Sequence, residues 1–454
     1  MNVKATNVLT QELIDNNHGV FVVNQKYTLG GRTILLPNNY ILLFKSGGYI
    51  DIGVLQGTDS QIVASSGQCC FGSNLKISGT WNVPDIHDTW FKYETDKSSA
   101  NHSNLLLKNL FALANDKVQN TIHTTKSRRY EVEIPFEGKG DFGNQISFKM
   151  VNGKKRKDFL EIYEEKFSFL QVFTIPSNTK LLLDCQIILR PTNLGAYFLF
   201  WEKDKENITI EGSGGIRGDL TTHLYNNPFT PPGYFGEWGH LLTFIRCHNI
   251  TLRGITVSDA WGDCIGFHGS FLKNDQSPRW ASGLTMKDVK VKRARRNGVT
   301  IAARNCRISN CHFEGCGMIN ATWPKAAIDF EADGLERFAE LGNENVVMEN
   351  CTFKNNFRDI AASNNNLPAY GRTATTIRNC TFPNPIRIVW GNWLRFENCT
   401  ISSFIGAWSN PIDSKNTIKH TEFVNCIIKN LPEIMRTTSW NNKFERCTIV
   451  QTTK

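Results

Sequence analysis

Asn310-Cys311-His312-Phe313, Asn350-Cys351-Thr352-Phe353, Asn379-Cys380-Thr381-Phe382, Asn398-Cys399-Thr400-Ile401, Asn425-Cys426-Ile427-Ile428 and Arg446-Cys447-Thr448-Ile449 are six versions of one phrase. Successive cysteines in it lie 40, 29, 19, 27 and 21 residues apart, and the shorter intervals match one coil of a β-solenoid. A helical repeat would need amphipathic stretches about twice as long as these short β-rich runs. The phrase predicts an all-β chain, a single-stranded right-handed parallel β-helix. Equivalent positions on stacked coils lie about 4.8 Å apart, so the cysteines are expected to form an internal column of free thiols. A disulfide scaffold fits less well, because 13 cysteines is an odd number in a long chain and buried Cys behaves as a small hydrophobe. Cys306, Cys311 and Cys316 stand five apart, a spacing that suits neither a zinc knuckle nor a redox pair. No metal site and no cofactor are predicted.

With 454 residues and 40% hydrophobic content, the chain can bury a large core as one solenoid. Residues 1–100 read as N-terminal coils, with short apolar strands at Val20-Phe21-Val22-Val23, Thr33-Ile34-Leu35-Leu36 and Tyr40-Ile41-Leu42-Leu43-Phe44 punctuated by Gly, Asn and Pro. Residues 101–180 read as a helix and a connecting excursion; Leu105, Leu106, Leu110, Phe111 and Leu113 fall on one side of an amphipathic helix over 104–118. Residues 181–454 read as the main β-helix, carrying the site. The net charge of +9 suits an acidic polymer, but most basic residues are scattered and no nucleic-acid module occurs, so no nucleic-acid partner is predicted. No apolar run is long enough to span a bilayer, and Met1-Asn2-Val3-Lys4-Ala5-Thr6 lacks the apolar core of a secretory signal. An extracellular, cell-surface or virion location therefore implies export by another route, or a leader already removed.

Aligning coils converts the sequence into a surface map. Trp238-Gly239-His240-Leu241-Leu242-Thr243-Phe244-Ile245 matches Trp261-Gly262-Asp263-Cys264-Ile265-Gly266-Phe267-His268, and the next coil supplies Arg295-Arg296-Asn297-Gly298-Val299-Thr300-Ile301-Ala302. This register stacks Trp238 on Trp261 and places His240, Asp263 and Asn297 in one polar column, either a proton-transfer couple or a satisfied structural ladder. In Ala327-Ile328-Asp329-Phe330-Glu331, Ile328 and Phe330 turn inward, so Asp329 and Glu331 face outward together. Matching Ile265, Val299 and Ile328 puts Asp329 in line with Gly266 and Thr300, and Glu331 in line with His268 and Ala302. The small intervening residues predict an open floor between His268 and Glu331, spanning two coils or about 9.6 Å, a width resembling that of inverting glycosidases. Two solvated acids on an exposed strand would read the same way.

Flat aromatic rings pack on the apolar faces of sugars. Trp238, Trp261, Trp280 and Trp323 accompany these polar groups, and Trp390, Trp393 and Trp408 continue the series, although any one of them can instead be packing. Polar detours at 219–239 and 270–282 are expected to wall a cleft, with Asp219, His223 and Glu237 as further acid, base or binding candidates. Arg295, Arg296 and Lys325 are candidates for holding an anionic sugar by charge-assisted bonds.

At Tyr27-Thr28-Leu29-Gly30-Gly31-Arg32-Thr33-Ile34, Ile208-Thr209-Ile210-Glu211-Gly212, Gly236-Glu237-Trp238-Gly239-His240, Trp261-Gly262-Asp263-Cys264-Ile265 and Ala327-Ile328-Asp329-Phe330-Glu331, the chain resembles the pectate-lyase-like β-helix superfamily. More narrowly, it is similar to glycoside hydrolases and depolymerases of gut Bacteroidetes and their phages. Polygalacturonase-like relatives carry Asp-Asp-Cys followed by Gly-His-Gly, whereas this chain has Gly262-Asp263-Cys264 with Phe267-His268-Gly269 close behind, which argues against pectin hydrolysis. Three functions follow from the residues and the resemblance. The first is hydrolysis of an acidic polysaccharide, with Asp263, Asp329 and Glu331 as acid and base and His240 or His268 tuning protonation. The second is a lyase or epimerase acting on a uronate through Arg296 or Lys325 with His240; an acidic calcium cluster is missing. The third is a non-catalytic solenoid, a phage tail fibre or a surface glycan-binding shaft, with a homotrimer as its expected assembly.

Overall fold

The computed structural model describes residues 7–94, 100–134, 171–224, 238–269, 280–331, 343–363, 375–388, 390–406 and 417–451. The chain divides into two compact units: Met1–Glu133 with Phe173–Ile188 and Asn207–Gly215, and Ile134–Val172 with Leu189–Glu206 and Ile216–Lys454.

In the second unit each coil supplies one strand to each of three parallel sheets. One coil runs through Trp238–Ile245, His248–Arg253 and Thr256–Ser258; the next through Ile265–His268, Ser282–Lys287 and Lys290–Lys292; the next through Asn297–Ala302, Arg307–Ser309 and His312–Glu314. Each strand pairs in parallel with its counterpart one coil on. Successive crossovers between parallel strands take the right-handed sense, and the result is a right-handed parallel β-helix. Its interior is filled by residues such as Phe244, Phe267, Ile301 and Phe330, all fully buried.

The Asn-Cys-Thr-Phe phrase has a separate physical reason at each position. Asn310, Asn350, Asn379, Asn398 and Asn425 all sit in the left-handed region, with φ between 52° and 55°. Asn tolerates that conformation better than other residues with a Cβ. Its amide also joins the coils: Asn379 Nδ2 donates to Asn350 Oδ1 at 3.1 Å, Asn398 to Asn379 at 3.1 Å and Asn425 to Asn398 at 3.2 Å. The following cysteine turns into the core, where every one from Cys311 to Cys426 is buried, and all thirteen thiols are free. The phenylalanines pack on one another, Phe313 stacked on Phe353 at 5.1 Å and Phe353 tilted against Phe382 at 4.9 Å. Asn379→Ala is expected to cost about 1–2 kcal/mol from the backbone conformation alone, while Asn379→Gly loses less; urea unfolding of the two variants measures the difference.

The first unit has short parallel strands of the same kind, with Val20–Val23, Ile41–Phe44 and Gly53–Val63 paired in that order. The helix expected over 104–118 is Ala100–Leu113. It ends where Asn115 and Asp116 turn their side chains to backbone groups, Asn115 Nδ2 to the Trp81 carbonyl at 3.0 Å and Asp116 Oδ1 to the Ser177 N–H at 2.5 Å. Buried Asn109 docks the helix by bonding the Ile77 N–H and the Leu75 carbonyl. Among the described residues no helix is long and apolar enough to cross a membrane.

Candidate functional site

The strands Ala196–Lys203, Trp238–Ile245, Ile265–His268, Asn297–Ala302, Ala326–Glu331, Ile360–Ser363 and Ile386–Ile388 form one face of the second unit. The observed register is the one expected from sequence. Leu242 pairs with Ile265, Ile265 with Val299 and Val299 with Ile328, so Gly266, Thr300 and Asp329 fall in one row. Two coils beyond Asp329, through Ala361, the same row reaches Arg387.

Arg296 is the centre of the polar cluster. Its Nη1 donates to Asp263 Oδ2 at 2.6 Å and its Nη2 lies 3.5 Å from Glu331 Oε2, so one guanidinium ties together acids two coils apart. Asp263, 1% exposed, also accepts from Thr300 Oγ1 at 2.7 Å and from the Asn297 N–H at 3.0 Å. Burial pushes its carboxyl up, while Arg296 and the Thr300 bond pull it back. Three donors, one of them the ion-paired Arg296, keep this acid engaged as an anchor.

Asp329 is the opposite case. It is outward on its strand, as the alternation predicted, but it is buried and not solvated. Its Oδ2 receives one long hydrogen bond, from Asn297 Nδ2 at 3.3 Å, and its Oδ1 has no partner among the described residues. Burial above all, and then the charge of Glu331, push its carboxyl well above the usual range, outweighing the pull of Arg296 and Arg387. The fold therefore favours the protonated form of Asp329. Glu331, two residues on, has a side chain 19% exposed and is held by Arg296. Two carboxyls on one strand thus sit in different environments, one buried where the neutral form is favoured, one paired with a cation.

The histidines depart from expectation. His240 does not meet the Asp263 carboxylate: its Nδ1 accepts the Asp263 backbone N–H at 2.8 Å. An accepting Nδ1 places the ring proton on Nε2, and burial followed by the charge of Arg296 lowers its basicity far below the usual value, so this imidazole stays neutral. The open floor expected between His268 and Glu331 is filled. His268 folds back over Gly266, where an added Cβ would lie 2.7 Å from His268 Nε2, and Arg296 reaches across to Glu331. Burial lowers His268 as well, against the pull of Glu331 and Asp263.

Several residues expected to touch substrate are structural instead. Trp261 is fully buried between the His223 ring, at 3.6 Å and nearly parallel, and the Arg295 guanidinium, 4.0 Å from its ring. Asp219, also fully buried, accepts from the Thr192 N–H at 2.9 Å, Thr192 Oγ1 at 2.8 Å, Tyr197 OH at 2.5 Å and His223 Nδ1 at 2.9 Å. The first unit uses the same brace at Asp88, which accepts from the Thr125 N–H and hydroxyl and from Tyr130 OH. In both, Thr and Tyr stand five residues apart, so Asp219 and His223 are a corner of the fold. Trp280 lies under the Arg304 guanidinium and Trp393 stacks on His420. Trp238 is half-buried at the start of its strand, and Trp323 and Lys325 are half-buried together just before Asp329. Glu237 and Trp408 lie outside the described residues.

Sequence reading missed Arg387 and Thr300. Thr300 has no sequence signal beyond its register position. Arg387 has one: Ile386-Arg387-Ile388 repeats the apolar, charged, apolar alternation of Ile328-Asp329-Phe330, with Ile360 aligning the two.

No family model matches the chain. Over 200 residues it is 29% identical to the uncharacterized protein YclG of Bacillus subtilis; the alignment covers 43% of this chain and 33% of YclG, so the chain spans about a third of that relative's length. It is similar to solved structures of the tailspike protein of E. coli bacteriophage HK620. A single mutant in complex with pentasaccharide gives a TM-score of 0.43 at 12% identity, covering 82% of this chain and 61% of the tailspike. A double mutant in complex with pentasaccharide gives 0.41 at 11%, covering 76% and 59%. At these scores no chemistry passes from the tailspikes to this chain, and the architecture rests on its own parallel ladders. By those ladders, with one strand per coil in each of three sheets, the chain is a right-handed parallel β-helix protein.

Proposed function

We propose that the protein cleaves glycosidic bonds of a polysaccharide by acid/base hydrolysis, with Asp329 as the proton donor and Glu331 as the ionised partner. The observation that carries this reading is the contrast between two carboxyls two residues apart: Asp329 is buried with an unpartnered oxygen, and Glu331 is held by Arg296. Pairs of acids whose surroundings drive their proton affinities apart are the means by which one site supplies both an acid and a base at neutral pH. Asp263 is a positioning residue here. It anchors the guanidinium that holds Glu331, and its own oxygens are occupied. His240 and His268, both neutral, add no competing charge.

Incubation with a panel of plant, host and capsular polysaccharides tests the reaction class. New reducing ends without the ultraviolet absorbance of unsaturated uronates are the expected result. A rise in that absorbance would replace hydrolysis with elimination. Glycan binding with neither product would make the solenoid a binding shaft.

A further inference from the structure

Beside the two acids lies a cluster of cations gathered on two aromatic rings. Lys325 Nζ is 5.1 Å, Arg358 Cζ 4.4 Å and Arg387 Cζ 5.3 Å from the centre of the Trp323 ring. Lys325 and Arg358 also lie over Phe357, at 5.1 and 4.7 Å. Arg358 is fully buried and donates from Nη1 to the Pro324 carbonyl at 3.0 Å. Arg387 is 8% exposed, and its Nε has no hydrogen-bond partner among the described residues. Neither Lys325 nor Arg387 has a carboxylate within ion-pair distance among those residues. The aromatic faces hold the cations in place but do not neutralise them.

We propose that Lys325, Arg358 and Arg387, gathered around Trp323 and Phe357, form a subsite for an anionic substituent of the sugar, a carboxylate, sulfate or phosphate. Two further observations support it. The cations repel one another: burial and Arg358 lower the Lys325 ammonium, and burial and Arg387 lower the Arg358 guanidinium, a situation that a bound anion relieves. The cluster also reaches solvent at its Phe357 and Lys325 edge and lies next to the acids. Phe357 is 42% exposed, Lys325 immediately precedes the strand that carries Asp329 and Glu331, and Arg387 shares the register row of Asp329 across the small Ala361. Guanidinium groups present paired N–H donors that match the oxygens of such anions.

This placement rests on the reading of Asp329 and Glu331 as the acting acids, but its test does not need turnover. Saturation-transfer NMR on Asp329→Asn protein, at constant ionic strength, compares glucuronate, glucose 6-sulfate, glucose 6-phosphate and glucose. At least one anionic sugar is expected to bind more tightly than glucose, and the one preferred identifies the anion. Lys325→Ala and Arg387→Gln should each weaken that binding roughly tenfold or more. Equal binding of glucose and all three anionic sugars, no binding of any of them, or unchanged affinity in Lys325→Ala would overturn the proposal. Lys325 is half-buried, so its truncation keeps the test valid even where Arg387→Gln fails to fold. Anion binding without polysaccharide cleavage would retain the subsite and remove the hydrolytic reading.

Discussion

Asp329→Asn is expected to lower turnover about 10²–10⁴-fold while making the protein more resistant to unfolding at neutral and alkaline pH. Both effects follow from the buried carboxyl. Its proton affinity is raised in the folded state, so the folded protein holds a proton that the unfolded chain releases above about pH 4. The stability this group contributes is complete below its unfolded value and is lost as pH rises through its folded value. Asn keeps the shape and carries no charge, so the stability difference between variant and parent should be near zero in acid and grow as pH increases. Activity should fall on the alkaline side as Asp329 loses the proton it must donate. Thermal or urea unfolding across pH, together with a pH–rate profile, checks the two effects. Full activity in Asp329→Asn would remove this residue from the reaction, and equal stability at every pH would show that folding leaves the proton affinity of Asp329 unchanged.

Asp219→Ala should have the largest effect on stability, about 3–5 kcal/mol. The carboxylate is the common acceptor for half-buried Thr192 and for buried Tyr197 and His223. Its removal leaves the Tyr197 and His223 donors buried without this acceptor, and each such loss costs the desolvation of that group. The loss extends to Trp261, which lies against the His223 ring. Urea unfolding gives the stability, and glycan affinity of the folded fraction separates a structural brace from a substrate contact. Reduced affinity at unchanged stability would return Asp219 to the binding surface.

The register around the site was legible before any coordinates because it depends on short-range rules. The left-handed turn, inward Cys and apolar Phe or Ile recur through the six phrases, and strict alternation along a strand leaves one assignment of faces. The rows Gly266–Thr300–Asp329 and Ile265–Val299–Ile328 follow from that ruler. Arg387 lay on the same ruler two coils further along, where its strand is only three residues long. The mutual roles of the side chains were not legible. Asp263 and Asp329 are aspartates two coils apart, and nothing local distinguishes the one that receives Arg296 from the one left buried without a paired cation. Trp261 and Trp238 likewise align in sequence, but only Trp261 is enclosed by His223 and Arg295 from other parts of the unit.

The sequence by itself therefore determined the coil, the faces of its strands and the rows in which acids and small residues stand, since these arise from backbone conformation and a side-chain period of two. Only the tertiary structure decided which acid is paired, which is buried away from water, which histidine nitrogen accepts a hydrogen bond and which tryptophan is enclosed. Those outcomes depend on burial and on where a long side chain such as Arg296 ends. Both are set by atoms brought together from separate coils, and no local rule of sequence contains them.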